Sequence, residues 1–445
     1  MPYLLNVIYL LILIIFSPWL LYKALTTGKY RRGLWTKFTG RVPTPVARPQ
    51  TITVWFHGVS VGEIHLLRQV VAGYRRRHPD HACVVSTSTD TGFDEAGKAF
   101  PDLPVIFWPF DFTWAVHRAL ARVRPDLVVL AEGEIWPNFI RAARRLDIRM
   151  AVINGRMSPR SARRHGKLSW LLRGTFGRID ACAVQTEEYA AGFRNAGAPR
   201  IVVTGNVKYD GACADRDNPR TRGLRDLLGV RPGELVWVAG STQDPEEEIV
   251  LGIYRRALEK HANLRLVLVP RHKERFDPVA DLLERSGLPY LRRSRLTSPT
   301  RHPATPSLPV LLLDTFGELS AAWGLADVAF VGGSLDGKRG GQNMIEPAAY
   351  GAAVTFGPST WNFKDTVARL LQKQAAIQVP DAAGLEWETL RLLADAAARG
   401  ALGQAARKFV TDQQGATERT LEMLDALCWV QKLSSRDKKA RATAG

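Results

Sequence analysis

No aspartate or glutamate occurs before residue 63 in this chain of 445 residues. The shortage of acid is partly general, because 61 Lys and Arg oppose 43 Asp and Glu and leave a net charge of +18. A basic excess points to nucleic acid, an anionic membrane surface or an acidic substrate. Clustered cations interleaved with aromatics in a reading module are absent, which sets nucleic acid aside. Cysteine is scarce: Cys83, Cys182, Cys213 and Cys428 are far apart and form no CxxC or Cys/His pattern. That excludes a zinc-ribbon type of site and fits a reducing, cytoplasmic compartment, with Cys83 and Cys182 as buried free thiols. Walker A and HExxH patterns are also missing. His57, His65 and His272 are not spaced as metal ligands, so neither a metal nor a cofactor is expected.

What is present begins with an apolar run from Tyr3 to Tyr22, broken only by Asn6, Ser17 and Pro18. Twenty helical residues reach about 30 Å, the thickness of one hydrocarbon core. A cleaved signal peptide lacks support, since no basic n-region precedes the run and no small-x-small site follows it. Instead Lys23, Lys29, Arg31, Arg32, Lys37 and Arg41 follow. The positive-inside rule then places the body of the chain in the cytoplasm, with cations facing anionic headgroups. Residues 1–25 are expected to be a membrane anchor helix, spanning or monotopic.

Beyond the anchor, strand-like runs alternate with helix-like periodicity: Val54–Phe56, Cys83–Ser86, Val105–Phe107, Leu127–Ala131, Met150–Ile153, Ala181–Gln185 and Ile201–Thr204. The polar stretch Asp210 to Arg225 reads as a linker. Alternation resumes at Leu235–Ala239, Leu264–Val269, Val310–Leu313, Val328–Val331 and Ala353–Phe356. This predicts an α/β fold of two doubly wound, Rossmann-like domains, 26–215 and 216–430, facing a cleft with ligands at the carboxyl ends of the strands. Ser294 to Ser307 reads as a surface loop, and 431–445 as a basic disordered tail.

The polar residues fall at the ends of these strands. His57 to Glu63 follows the first strand and opens a helix with Ile64, Leu67, Val71 and Tyr74 on one face. Backbone N–H groups and the helix dipole favour the ionised form of Glu63, making it a candidate proton acceptor. Glu132-Gly133-Glu134-Ile135-Trp136-Pro137-Asn138 follows another strand, either as an active-site rim or as a helix-start signal. Asn154 to Ser158 and Thr204 to Asp210 repeat the pattern, with Arg156 and Lys208 as cations for an anion. In the second half, Ala239 to Thr242, Val269 to His272, Thr315 to Leu319 and Val331 to Pro347 do the same. The Gly-rich stretch from Gly332 to Gly341 offers backbone N–H groups suited to a phosphate, and Glu346 suits a ribose diol.

Taken in order, these motifs closely resemble the bacterial 3-deoxy-D-manno-octulosonic acid (Kdo) transferases, which add Kdo to lipid A precursor. The match runs from the anchor to about Gln413. His57…Ser60-Val61-Gly62-Glu63 is similar to the signature around the family's base, and Glu132 to Asn138 resembles its Glu-Thr-Glu-Leu-Trp-Pro-Asn. The resemblance implies a GT-B glycosyltransferase at the inner membrane, with CMP-Kdo as donor and an anionic, acylated lipid as acceptor. It implies Glu63 as base and Glu132 and Lys208 as transition-state stabilisers. It also implies Pro270, Arg271, Phe316, Gly317, Glu318, Asn343, Met344, Ile345 and Glu346 as the CMP site. Two departures stand out: the family's Gly-Gly-His-Asn-Pro is here Gly341-Gln342-Asn343-Met344, and Asp336 to Arg339 looks inserted. Competing readings are another nucleotide-sugar enzyme of this fold, of the lipid disaccharide synthase or 2-epimerase type, or a non-catalytic membrane-anchored scaffold.

Overall fold

A computed structural model describes residues 2–27, 32–43, 51–157, 169–298 and 308–428. The expected tail at 431–445 lies outside these, as do Lys29, Arg31, Ser158 and part of the Ser294–Ser307 loop. The chain divides into two units, residues 1–210 with 414–445, and residues 211–413.

In the first unit seven strands form one sheet: β1 (Thr53–His57), β2 (Ala82–Thr87), β3 (Val105–Phe107), β4 (Leu127–Ala131), β5 (Arg149–Gly155), β6 (Ala181–Val184) and β7 (Ile201–Val203). Their order is β3-β2-β1-β4-β5-β6-β7, and every pair is parallel. Parallel strands covered on both faces read as continuous apolar runs, because successive side chains enter opposite cores. Thus Trp55, Val84 and Val128 pack into one layer, while Val54, Phe56 and Val129 pack into the other. The order reverses between β1 and β4. A doubly wound sheet offers a ligand crevice at the carboxyl edge of such a switch point. Glu63, in the first turn of the helix after β1, and Glu132, in the turn after β4, sit at these strand ends.

The second unit repeats the plan with β8 (Leu235–Thr242), β9 (Leu264–Pro270), β10 (Tyr290–Arg292), β11 (Val310–Leu312), β12 (Val328–Val331), β13 (Ala353–Phe356) and β14 (Ile377–Gln378). The order is β10-β11-β9-β8-β12-β13-β14, also parallel, with its switch point between β8 and β12. The expected α/β class and doubly wound topology hold in both units. Sequence reading passes over β10 and β14, short edge strands that lack a long apolar run.

Two boundaries differ from the reading of the sequence. The polar stretch taken as a linker contains the helix Pro219–Leu228, whose first N–H groups are capped by Asn218 Oδ1 at 3.1 Å from Arg220 N and 3.0 Å from Thr221 N. Residues 414–428 belong to the first unit rather than the second. The helix at 416–428 buries Leu421, Leu424 and Leu427 in the core beside β1 and the helix Val61–Arg77. Asp210 fastens it, accepting hydrogen bonds from Gly415 N at 2.7 Å and from Thr417 N, as Arg419 Nε donates to Thr204 O at 2.8 Å.

Candidate active site

The chain enters the helix Val61–Arg77 through Ser60, whose extended backbone makes it the N-cap. Ser60 Oγ accepts from Glu63 N at 3.3 Å and donates to Glu63 Oε1 at 2.9 Å, while Val59 N donates to Glu63 Oε2 at 2.9 Å. This reciprocal pattern is close to a capping box, so Glu63 also has a structural duty. Gly58 sits in tight quarters: a Cβ there would lie 3.0 Å from Glu63 Cβ and 3.1 Å from Leu67 Cδ1. Burial pushes the Glu63 carboxyl above its usual range, outweighing the Val59 and Ser60 donors, and the Glu132 charge adds to the rise. The sequence reading expected the turn to favour the ionised form; desolvation reverses that balance. A carboxylate with a raised pKa is a stronger base, which suits proton abstraction near neutral pH.

Glu132 stands across the switch point. It has φ +55°, followed by Gly133 at +101° and matched by Asn154 at +52° at the end of β5. Left-handed non-glycine residues are costly and here sit at two adjacent strand ends, where they aim side chains out of the sheet edge. Lys208 Nζ pairs with Glu132 Oε1 at 2.8 Å, and Asn154 Nδ2 reaches the same oxygen at 3.4 Å. Asn154 Oδ1 accepts from Val207 N at 3.0 Å, so it also fixes the turn that carries Lys208. Lys208 is thus tied to Glu132 at the strand edge. Glu134, which the sequence reading names without giving it a role, is pushed up to about 7, first by burial and then by the Glu63 charge. The first unit thus gathers three carboxylates and one ammonium at one carboxyl edge.

Below this edge His57 is buried and stacked on Trp108 with centroids 4.0 Å apart. Its Nδ1 lies 3.0 Å from Ser86 Oγ, and burial drives its pKa down to about 3. A neutral imidazole wedged under the turn supports the backbone that presents Glu63; it is a packing residue. Trp108 is likewise buried.

In the second unit Arg271 follows β9, exposed, with its N–H donated to Thr242 O at 3.0 Å. Phe316 is 68% exposed and its ring packs on Phe276 at 5.4 Å. Gly317 adopts φ +84°, and Glu318 accepts from Arg293 Nη2 at 2.9 Å. Gly317, Glu318 and Arg293 line a cavity of about 340 Å³ with Arg220 and Leu224. Ahead of the helix Ile345–Ala349, Asn343 Oδ1 accepts from Ile345 N at 3.0 Å, and its Nδ2 donates to Glu346 Oε1 at 2.9 Å. Met344 and Ile345 are buried as whole residues.

The Gly-rich loop corrects the sequence reading most. The N–H groups of Gly333, Ser334 and Leu335 are occupied by Glu246, at 2.7 Å to Oε2 and 2.9 and 3.1 Å to Oε1. Gln243 N donates to the same carboxylate at 3.0 Å. An internal anion fills this nest of donors, so it is closed to a phosphate. The signal was legible in Glu246-Glu247-Glu248 after β8, although sequence alone does not say which acid turns inward.

Against this geometry, the comparisons with known proteins are specific. A model of the family described as 3-Deoxy-D-manno-octulosonic-acid transferase (kdotransferase) matches residues 31–211. The 3-deoxy-D-manno-octulosonic acid transferase of Haemophilus influenzae is 34% identical over 83% of this chain and 86% of its own. That of Bordetella pertussis is 36% identical over 86% and 89%. The chain belongs to this family. Among solved structures, UDP-GlcNAc 2-epimerase from Neisseria meningitidis aligns with TM-score 0.56 at 12% identity, covering 84% of this chain and 99% of that one. Acinetobacter baumannii MurG aligns with TM-score 0.52 at 12% identity over 84% and 99%. At such identities these two speak for the fold alone, which is of the GT-B type.

Proposed function

We propose that this Kdo transferase moves Kdo with inversion from CMP-Kdo to an acylated, anionic lipid A precursor at the cytoplasmic face of the inner membrane. Kdo transfer in lipopolysaccharide synthesis goes with the family; the acceptor, the residue roles and the orientation are the added steps. The observation that carries the assignment of roles is the Glu63 carboxyl, raised by burial yet held by Val59 N–H and the Ser60 hydroxyl beside the Lys208–Glu132 pair.

Glu63 takes the proton from the attacking acceptor hydroxyl. The new bond joins that oxygen to the anomeric carbon of Kdo. The bond from that carbon to the phosphate oxygen breaks, and its electron pair leaves with CMP. Lys208, oriented by Glu132 and Asn154, stabilises charge during transfer, and Arg271 meets the phosphate. Pro270, Phe316 to Glu318 and Asn343 to Glu346 hold the nucleotide. With the Gly333–Leu335 nest filled by Glu246, positive side chains rather than those N–H groups neutralise the phosphate.

The test is incubation of the purified full chain with CMP-Kdo and a tetraacylated lipid A precursor, with mass spectrometry of the lipid. Wild type is expected to add Kdo. Glu63→Ala is expected to keep CMP protection in thermal melts and to lose at least about a hundredfold in transfer. Stronger protection by UDP than by CMP, or undiminished transfer by Glu63→Ala, would sink the assignment.

A further inference from the structure

The helix Pro2–Thr27 is long and apolar enough to cross a membrane by length and composition. Its contacts contradict a crossing. From Asn6 to Thr27 the axis runs about 32 Å at 1.5 Å per residue, the thickness of a hydrocarbon core. An upright span with its trailing cations in the cytoplasm would therefore put Asn6 at the opposite surface. Yet Asn6 Nδ2 donates to Thr113 Oγ1 at 2.8 Å, Thr113 N donates to Asn6 Oδ1 at 3.1 Å, and Tyr9 OH donates to Asp111 Oδ2 at 3.2 Å. The chain that leaves the helix comes back to the same loop. Phe110 N donates to Lys37 O at 2.8 Å, and Trp114 Nε1 donates to Phe38 O at 2.9 Å. Both sides of the helix thus close on the segment Phe110–Trp114, which is too short to stand on both faces of a bilayer.

Burial along the helix agrees. Leu5, Asn6, Tyr9, Leu10 and Leu13 form a buried or half-buried stripe at helical spacing, whereas Leu4, Val7, Ile8, Leu11 and Ile15 are exposed. Farther along, Phe16, Trp19 and Tyr22 are at least 50% exposed. A stripe held to protein through Asn6 and Tyr9, with the rest of an apolar helix left bare, calls for lipid on the bare surface.

We propose that this helix is an in-plane anchor that enters one leaflet only, and that its clamp on Phe110–Trp114 sets the height of the Glu132–Asn138 loop above the lipid. Asp111 makes the connection. Its carboxylate accepts from Asn138 N at 3.0 Å and Phe139 N at 2.8 Å, capping the helix Pro137–Arg145. Asn138 Nδ2 donates to Asp111 O at 2.6 Å and reaches Asn6 Oδ1 at 3.3 Å. That helix starts just after Glu134 and carries Arg141, Arg144 and Arg145, cations matched to anionic headgroups. Asn6, Tyr9 and Asp111 are positioning residues, because they act through the loop. The inference deepens the membrane part of the proposed function.

Topology is tested first, in a Cys213→Ser background whose other three thiols are buried. A neutral, cysteine-bearing tag before Met1 is exposed to a membrane-impermeant maleimide. Labelling in inverted vesicles but not in spheroplasts is expected; labelling in spheroplasts overturns the in-plane anchor. Because this readout involves no transfer, its failure leaves the Kdo assignment standing. Positioning is tested with Asn6→Leu/Tyr9→Phe. KM for acceptor in anionic vesicles is expected to rise about tenfold, the worth of the lost hydrogen bonds, with kcat and turnover of detergent-dispersed acceptor unchanged. A parallel loss on both acceptors, or no change on either, overturns the positioning role.

Discussion

Ser60 gives the sharpest separation of structure from chemistry, because its single hydroxyl does two things. It accepts from Glu63 N at 3.3 Å, which is a helix cap, and it donates to Glu63 Oε1 at 2.9 Å, which favours the charged base. Ser60→Ala loses both. The cap bond is long and exposed, so its loss falls in the middle of the range for N-caps, about 1 kcal/mol. In a unit of this size that lowers the melting temperature by about 2–4 °C. The second loss acts on protonation. Burial already raises the Glu63 pKa, and removing a donor to the ionised form raises it further. The acid limb of the rate profile therefore moves to higher pH, while the rate on the alkaline plateau changes little. Ser60→Thr, which keeps the hydroxyl, restores both. The assay is kcat/KM for Kdo transfer against pH, run beside calorimetry on the same samples. A fall in stability with an unmoved acid limb would refute the reasoning, since Ser60 would then be only a cap and Glu63 not the group whose titration governs rate.

Glu134→Gln tests the second buried acid. With a folded pKa raised to about 7, Glu134 holds its proton more tightly in the native state than when unfolded, so it weakens the fold as pH rises through the interval from its ordinary value to that one. After discount for its partial exposure, the variant gains about 1–2 kcal/mol at pH 8 and nothing at pH 4, read from denaturant unfolding at both pH values. Glu246→Ala leaves four N–H groups, three of them buried, without their acceptor. It costs about 3 kcal/mol or more, seen as a lower melting transition of the second unit. Asp210→Ala uncaps the helix at 416–428 and costs about 1–2 kcal/mol; limited proteolysis should then cut near Gln414 faster, and an unchanged rate would argue against the fastening role.

The layered fold was legible because apolar strand runs and amphipathic helices are set by local sequence. Val54–Phe56 and Leu127–Ala131 are strands for the same reason that they are buried on both faces. The return of residues 414–428 was not legible, since an apolar helical face does not say which core receives it, and the decisive contact is the capping carboxylate of Asp210, far earlier in the chain. The site was half legible. Strand ends named Glu63, Glu132 and Lys208, but pairing depends on backbone geometry that sequence hides. Lys208 meets Glu132 because Glu132 takes φ +55° and Asn154 ties down the Lys208 turn.

That pairing also explains why three acids at one edge need not share one role. Lys208 compensates Glu132 directly, and no comparable cation contact is made to Glu63 or Glu134 among the described residues. Of these two, Glu63 keeps donors from Val59 and Ser60, which offset part of the rise that burial imposes on it. Glu134 is pushed up to about 7 by burial and then by the Glu63 charge. Like charges in one half-buried site raise each other's pKa and titrate as a coupled set. In the proposed mechanism Glu63 accepts the proton, with Glu134 as its coupled neighbour. Removing Glu63 as Glu63→Gln should accordingly lower the pKa of Glu134, a change that carbon-13 NMR of labelled glutamate would detect and that independent acids would not show.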